Sequence, residues 1–335
     1  MTERIDVPTI DIAAFLAGTG EAGRIARAVA RTCEQTGFLI ISGHGFPQGL
    51  LDRAMRELYA FFDLSTETKN RWHPTGPARQ RGYHGMATRG LANTLGQKAP
   101  PDLRESLFLG PIDDHRAYYA NLPEAATSYA PNLLPDQPAG IDRTLVEVYR
   151  AYEALATNMM RLFGTALQLP PNAFNGVLDR HFSILSCHHY PMLESEPIPG
   201  QLRTGAHTDY GAMTLLAASD APGGLEVQMP DGRWAGVQPR AGEFVVNLGD
   251  MMAHWTNGRW ASTLHRVANP PLGVARSRRL SIGMFVHPNY DQSIACVPTC
   301  VPPGEQARFP AMTAGEHIRR KIEASHAVVS RPGRR

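Results

Sequence analysis

Cysteine is scarce, long apolar runs are absent, and neither sign of charge dominates this 335-residue chain. The four cysteines, Cys33, Cys187, Cys296 and Cys300, fit no zinc or redox spacing, so a disulfide-stapled or zinc-knuckle fold is excluded and free thiols are expected. No run of about 18 apolar residues is present to span a bilayer. The opening residues, Met1 to Pro8, carry acids and a proline where a secretory leader needs an unbroken apolar stretch. A cytoplasmic protein with no membrane partner is the expectation. A net charge of +2 is too mild for a nucleic-acid partner, and no basic cluster is interleaved with aromatics outside the tail Arg331-Pro-Gly-Arg-Arg335. Repeats and low-complexity tracts are also missing.

What is present is a chain long enough to bury a full core. Residues 21–35 and 48–62 place apolar side chains at helical spacing, Leu51, Met55, Leu58 and Phe62 forming the buried face of the second. Phe38 to Ser42 is a short apolar strand, and residues 65–72 suggest a short helix capped by Ser65. Residues 73–140 are rich in Gly, Pro, Asn and Asp and read as loops. A long helix follows from Ile141 to Leu167, its stripe running Leu145, Val148, Tyr152, Leu155, Met159, Leu162, and Pro170-Pro171 ends it. Short strand-like runs then alternate with turns: residues 182–190, 213–216, 224–229, 244–248, a run around His265, and 279–286. Such spacing predicts a mixed α and β protein whose core is a double-stranded β-helix, the cupin-like jelly roll, with flanking helices. The organisation expected is an N-terminal α/β region with substrate-covering loops (1–140), the long helix plus jelly-roll core (141–315), and a C-terminal helix with the basic tail (316–335).

His207 and Asp209 are two residues apart, a spacing that on a β-strand puts both side chains on one face. An imidazole and a carboxylate, joined by a second imidazole, bind a redox-capable metal such as Fe(II) and leave coordination positions open. His265, in a β-branched and apolar stretch ending in prolines, supplies that imidazole. His-x-Asp alone arises readily by chance in a chain with 13 histidines, so order and flanking residues must decide. Further on, Arg279 and Ser281 share one strand face, where a guanidinium and a hydroxyl can clamp a carboxylate.

Taken together, several segments resemble the isopenicillin N synthase-like family of non-haem Fe(II)- and 2-oxoglutarate-dependent oxygenases. They are Gly205-x-His207-x-Asp209-Tyr-Gly, Gly223-Gly-Leu-Glu-Val-Gln228, Val245-Val-Asn-Leu-Gly-Asp250, Trp255-Thr-Asn-Gly258, Ser262-Thr-Leu-His-Arg-Val267 and Arg279-Leu-Ser281. Val7 to Ile12, Gly37 to Ile41, Gly43 to Pro47 and Arg81-Gly-Tyr83 also recur there, so the resemblance spans about residues 5–315. It implies an enzyme in which His207, Asp209 and His265 hold iron. It also implies that Arg279 and Ser281, with Tyr190 beside them, meet the far carboxylate of the cosubstrate 2-oxoglutarate. With O2 the implied reaction is hydroxylation, desaturation or ring closure at an unactivated C–H of a small molecule such as a natural-product intermediate, giving succinate and CO2. Members lacking 2-oxoglutarate dependence keep the same Arg-x-Ser pair, so an Fe(II) oxidase is one alternative; a non-catalytic carboxylate-binding module on the same fold is the other. A monomer or homodimer is expected.

Among the remaining residues, His254 is a rival third ligand, His44 and His287 read as structural, and His188 stands where the family frequently has asparagine. Arg81, Tyr83, Arg89, Asn93 and Arg104 lie where substrate-contacting groups concentrate. Phe285 reads as a core aromatic and Asn247, Gly249 and Asp250 as turn residues.

Overall fold

The computed structural model describes residues 3–4, 7–78, 80–88, 90, 92, 100–274 and 277–329. Its strands are β1 (Glu3–Arg4), β2 (Thr9–Asp11), β3 (Phe38–Ser42), β4 (Gly82–His84), β5 (Glu105–Leu109), β6 (Ile184–Tyr190), β7 (Thr204–His207), β8 (Met213–Ala218), β9 (Leu225–Gln228), β10 (Trp234–Gly236), β11 (Phe244–Leu248), β12 (His265–Val267) and β13 (Arg279–Val286). The helices are α1 (Ala13–Leu16), α2 (Ala22–Gln35), α3 (Gln48–Phe62), α4 (Thr66–Asn70), α5 (Ile141–Ala166), α6 (Asp250–Trp255) and α7 (Ala314–Val329).

Two sheets form the jelly roll. The larger runs β2-β3-β11-β8-β13-β6-β5-β4 and the smaller β1-β10-β9-β12-β7. β3 is apolar from Phe38 to Ile41 because both of its faces are covered there. Phe38 and Ile40 meet Leu225, Val227 and Val245 between the sheets, while Leu39 and Ile41 join the core beneath the helices. On that outer side, the α5 stripe from Leu145 to Leu162 is buried, and the Tyr152 hydroxyl donates to the Ile282 carbonyl of β13 at 2.7 Å.

The helical periodicity reproduces α3 and nearly all of α5, and the Ser65 hydroxyl caps α4 by accepting from the Thr68 amide at 3.1 Å. The turn at residues 230–232 closes the β9–β10 hairpin. The loop reading of residues 73–140 needs correction. β4 and β5 lie in this stretch, and β5 pairs with β6 over five residues. β5 escaped notice because it is buried on both faces and opens on a charged Glu105, so it has neither alternation nor a purely apolar run. Residues before 140 thus supply β2 and β3 to one edge and β5 and β4 to the other edge of the same sheet. No helix among the described residues is long and apolar enough to cross a membrane.

Candidate metal centre and carboxylate pocket

β7 ends at His207, and Asp209 lies just beyond it, so the two do not share a strand. The turn carrying Asp209 is pinned instead by α6, whose Asp250 amide donates to the Asp209 carbonyl at 2.7 Å. Gly249 is needed there because a Cβ would stand 2.2 Å from the Gly211 carbonyl oxygen. His265 on β12 registers directly opposite His207 on β7, with ring centroids 4.3 Å apart. The Nε2 atoms of His207 and His265 lie 3.6 and 3.7 Å from one Asp209 oxygen, Oδ1. All three residues are buried, and their ligand atoms lie within 4.8 Å of one another, a span that fits a single ion.

Each donor is oriented by a neighbour. His207 Nδ1 donates to the Gly205 carbonyl at 2.8 Å and His265 Nδ1 to the Thr263 carbonyl at 3.0 Å, which leaves both Nε2 lone pairs for metal. The other carboxylate oxygen of Asp209 accepts from the Thr214 hydroxyl and, at 2.7 Å, from the Asn247 amide. Thr214 and Asn247 are a cross-strand pair on β8 and β11, so Asn247 is a positioning residue on a strand and not a turn former. Burial pushes the Asp209 carboxyl up, but His265, His207 and these two hydrogen bonds outweigh it and hold it below the ordinary value. His254, the rival ligand, donates instead to the Pro310 carbonyl at 2.9 Å and stacks on Phe309. His44 bonds the Gly242 carbonyl, and His287 is buried against the Phe182 carbonyl.

Burial pushes the His207 imidazole down to about 3, and likewise His287 and His317 to about 4, from 6.5. Between pH 6.5 and about 4 the unfolded chain therefore binds up to three protons that the folded chain refuses. Stability is lost as pH falls through this window, at a slope of up to ~4 kcal/mol per pH unit for three groups. Thermal melts of metal-free protein from pH 7.5 to 4.5 should show a melting temperature that is level above pH 7 and steeply falling below 6; a level profile down to pH 5 rules this out.

On the large sheet, Arg279 of β13 registers opposite Tyr190 of β6, and Ser281 opposite His188. These side chains share the face that also carries Thr214, hence the face toward Asp209. Arg279 is buried, its guanidinium carbon 5.2 Å from the Tyr190 ring centroid, and its Nη1 has no hydrogen-bond partner. An unpaired buried guanidinium nitrogen is costly, and a bound carboxylate removes the cost. Tyr190 is held below its ordinary value although burial pushes the other way, because Arg104 and Arg279 stand close and Thr204 and Ser281 hydrogen-bond to it. Phe285 is half-buried opposite Thr214, facing the pocket and not the core.

Other candidates separate cleanly. Arg81 donates to the carbonyls of Gln80, Ala130 and Ser128, and Tyr83 donates to Glu105 at 2.6 Å, so both are structural. Arg104 stands at the pocket. Arg89 and Asn93 lie outside the described residues.

Comparison with known proteins agrees with this geometry. Residues 7–137 match the N-terminal region of a non-haem dioxygenase in morphine synthesis, and residues 181–288 match the 2OG-Fe(II) oxygenase superfamily. A 2-oxoglutarate-Fe(II) type oxidoreductase, hxnY, of Emericella nidulans is 30% identical over 95% of this chain and 90% of its own. A homoarginine-6-hydroxylase of Oryza sativa is 31% identical over 89% of this chain and 88% of its own. A full-length Neurospora crassa protein, solved in complex with alpha-KG, superposes with a TM-score of 0.83 at 28% identity, covering 95% of this chain and 96% of that one. Such relatives do not favour the oxidase or the binding-module alternative. The chain belongs to the 2-oxoglutarate- and Fe(II)-dependent oxygenase superfamily and is a non-haem iron dioxygenase that uses Fe(II), 2-oxoglutarate and O2.

Proposed function

We propose that His207, Asp209 and His265 hold the Fe(II), and that Arg279, Ser281 and Tyr190 bind the distal carboxylate of 2-oxoglutarate. The observation that carries this reading is the orphaned Nη1 of buried Arg279, which with Ser281 and Tyr190 lies on the sheet face whose Thr214 reaches Asp209. When bound, Fe(II) with 2-oxoglutarate and O2 supplies the oxidising chemistry that functionalises an unactivated C–H, with succinate and CO2 as by-products. The chain's own residues set the geometry. Gly205 and Thr263 carbonyls fix the imidazole tautomers, Thr214 and Asn247 fix the carboxylate, and the Arg279 fork fixes the far end of the cosubstrate.

The primary substrate in this reading is a small molecule, as for the relative named for homoarginine and for the Neurospora crassa protein, which is also seen with thymine. Hydroxylation is the default outcome. We place the enzyme in the cytoplasm, where its four free thiols stay reduced, as a monomer or homodimer with no nucleic-acid partner.

Anaerobic visible spectroscopy of the Fe(II) protein with and without 2-oxoglutarate tests the assignment. Wild type should develop an absorption band on adding 2-oxoglutarate, and Arg279→Ala should raise the concentration needed by about 10–100-fold, the worth of a charge-assisted pair. An unchanged 2-oxoglutarate affinity in Arg279→Ala removes Arg279 from the cosubstrate site.

A further inference from the structure

The pocket holds more positive charge than 2-oxoglutarate and iron account for. In the β5–β6 ladder Glu105 registers with His189, and in the β6–β13 ladder Arg279 registers with Tyr190. Arg104 immediately precedes β5, so continuing that register by one step brings it beside Tyr190, near enough for its charge to act on the Tyr190 hydroxyl, and Arg104, Tyr190 and Arg279 line up across three adjacent chain segments on the inner face. The next row is Ser106, His188 and Ser281, with the Ser106 hydroxyl 2.8 Å from His188 Nδ1.

Arg104 is buried and its only ion-pair partner among the described residues is Asp102, at 3.1 Å. Asp102 in turn accepts the Gly205 amide at 2.9 Å, two residues before the ligand His207. Leu103 between them donates to the Leu202 carbonyl at 3.0 Å. These bonds seat Arg104 where the edge of the large sheet meets the metal-bearing strand β7, close enough for its charge to act on both His207 and Tyr190. A third cation, Arg203, gives Nη1 to the Pro222 carbonyl and Nη2 to the carbonyls of Pro191 and Ser277, so both ends of its fork are engaged and only its Nε is without a partner.

Charge then discriminates between roles. Fe(II), the Asp209 carboxylate and doubly charged 2-oxoglutarate together leave one negative charge. Arg203 and Arg279 exceed it by one positive charge, and the Arg104–Asp102 pair is neutral. Counted over the described residues the loaded pocket thus stays cationic, and the Arg104 guanidinium, whose nearest contact to Asp102 is made by Nη2 at 3.1 Å, is the cation there that neither the cosubstrate nor backbone carbonyls take up. We propose that Arg104 binds a carboxylate of the primary substrate, which makes that substrate a small organic anion; this rests on the Fe(II)- and 2-oxoglutarate-binding reading above. Planar guanidinium matches planar carboxylate through two parallel hydrogen bonds, so an amide of the same shape is the discriminating control.

Calorimetric titration of the anaerobic Fe(II)- and 2-oxoglutarate-loaded enzyme tests this. The probes are benzoate, phenylacetate, 3-phenylpropionate and hexanoate, each against its primary amide. In wild type the best-bound acid is expected to bind at least about tenfold more tightly than its amide, the worth of one charged hydrogen bond. Arg104→Gln should reduce that preference to less than about twofold while leaving 2-oxoglutarate affinity unchanged, and Arg104→Lys, which keeps the charge without the fork, should retain part of it. Acids and amides binding wild type alike, or a preference that survives in Arg104→Gln, overturns the proposal. A loss of 2-oxoglutarate binding confined to Arg104→Gln also overturns it, assigning Arg104 to the cosubstrate. Failure of wild type itself to bind 2-oxoglutarate would sink the underlying reading instead.

Discussion

Asp209→Ala is expected to abolish Fe(II) retention and turnover while leaving a folded protein. Two imidazoles remain, each oriented by its own carbonyl, but the anionic donor midway between them is gone. Metal affinity should fall by more than the roughly 10–100-fold typical of losing a residue that merely orients a ligand. Folding is affected less. The variant removes a buried charge, whose desolvation is unfavourable, and leaves the Thr214 hydroxyl and Asn247 amide without their acceptor, at about 1–3 kcal/mol each. Asp209→Asn separates shape from charge, since the amide keeps the volume but not the anion, and it too should lose iron. The measurement is iron content after desalting, together with 2-oxoglutarate consumption and circular dichroism. Wild-type iron content and turnover in either variant would refute the site.

The candidate metal centre was legible because its information is local. His207 and Asp209 are two residues apart, and His265 sits in a strand whose flanking residues matched a known pattern. Even so, strand alternation does not bring the pair together: β7 stops at His207, and α6 positions the Asp209 carboxylate. The residues that orient the ligands were not legible. Asn247 looked like part of a turn, and only the β8–β11 register reveals that it stands beside Thr214 and reaches Asp209. In the polar inner row, Tyr190 was grouped with Arg279 and Ser281 only through the family resemblance, and the place of Arg104 beside them had no local signal. Arg104, Tyr190 and Arg279 are brought together by two ladders that join segments more than 80 residues apart in sequence. A sequence pattern reports which face is apolar; here the face that matters is polar, and neighbouring polar residues on separate strands carry no shared period. Glu105 illustrates the converse problem, a charged residue inside a buried strand, which periodicity assigns to a loop.

Glu105 is also where the fold should prove most fragile. Its carboxylate points away from the metal, toward the helices, and accepts from Lys69 at 2.7 Å, Tyr83 at 2.6 Å and His189 at 2.7 Å. Burial pushes this carboxyl up, yet the three donors and the Lys69 charge together hold it below its ordinary value. Lys69 is itself buried and donates a second bond to the Phe62 carbonyl at 2.8 Å. Lys69→Met therefore strands a buried carboxylate with only two donors, and breaking a buried pair from one side costs about 3–5 kcal/mol. A melting temperature lower by about 4–7 °C is expected for a chain of this length. Lys69→Met combined with Glu105→Leu should recover part of the loss, because the doubly apolar pair leaves no uncompensated charge. The effect should reach the pocket as well. His189, held by Glu105 on one nitrogen, accepts from Arg278 at 2.7 Å on the other, and Glu105, His189 and Arg278 are the sequence neighbours of Arg104, Tyr190 and Arg279. Loosening the outer cluster should thus weaken 2-oxoglutarate binding in Lys69→Met by a few-fold, measured well below its melting temperature. A variant as stable as wild type would show that the cluster contributes no net stability; a destabilised variant with unaltered 2-oxoglutarate affinity would show that strand alignment at the pocket does not depend on it.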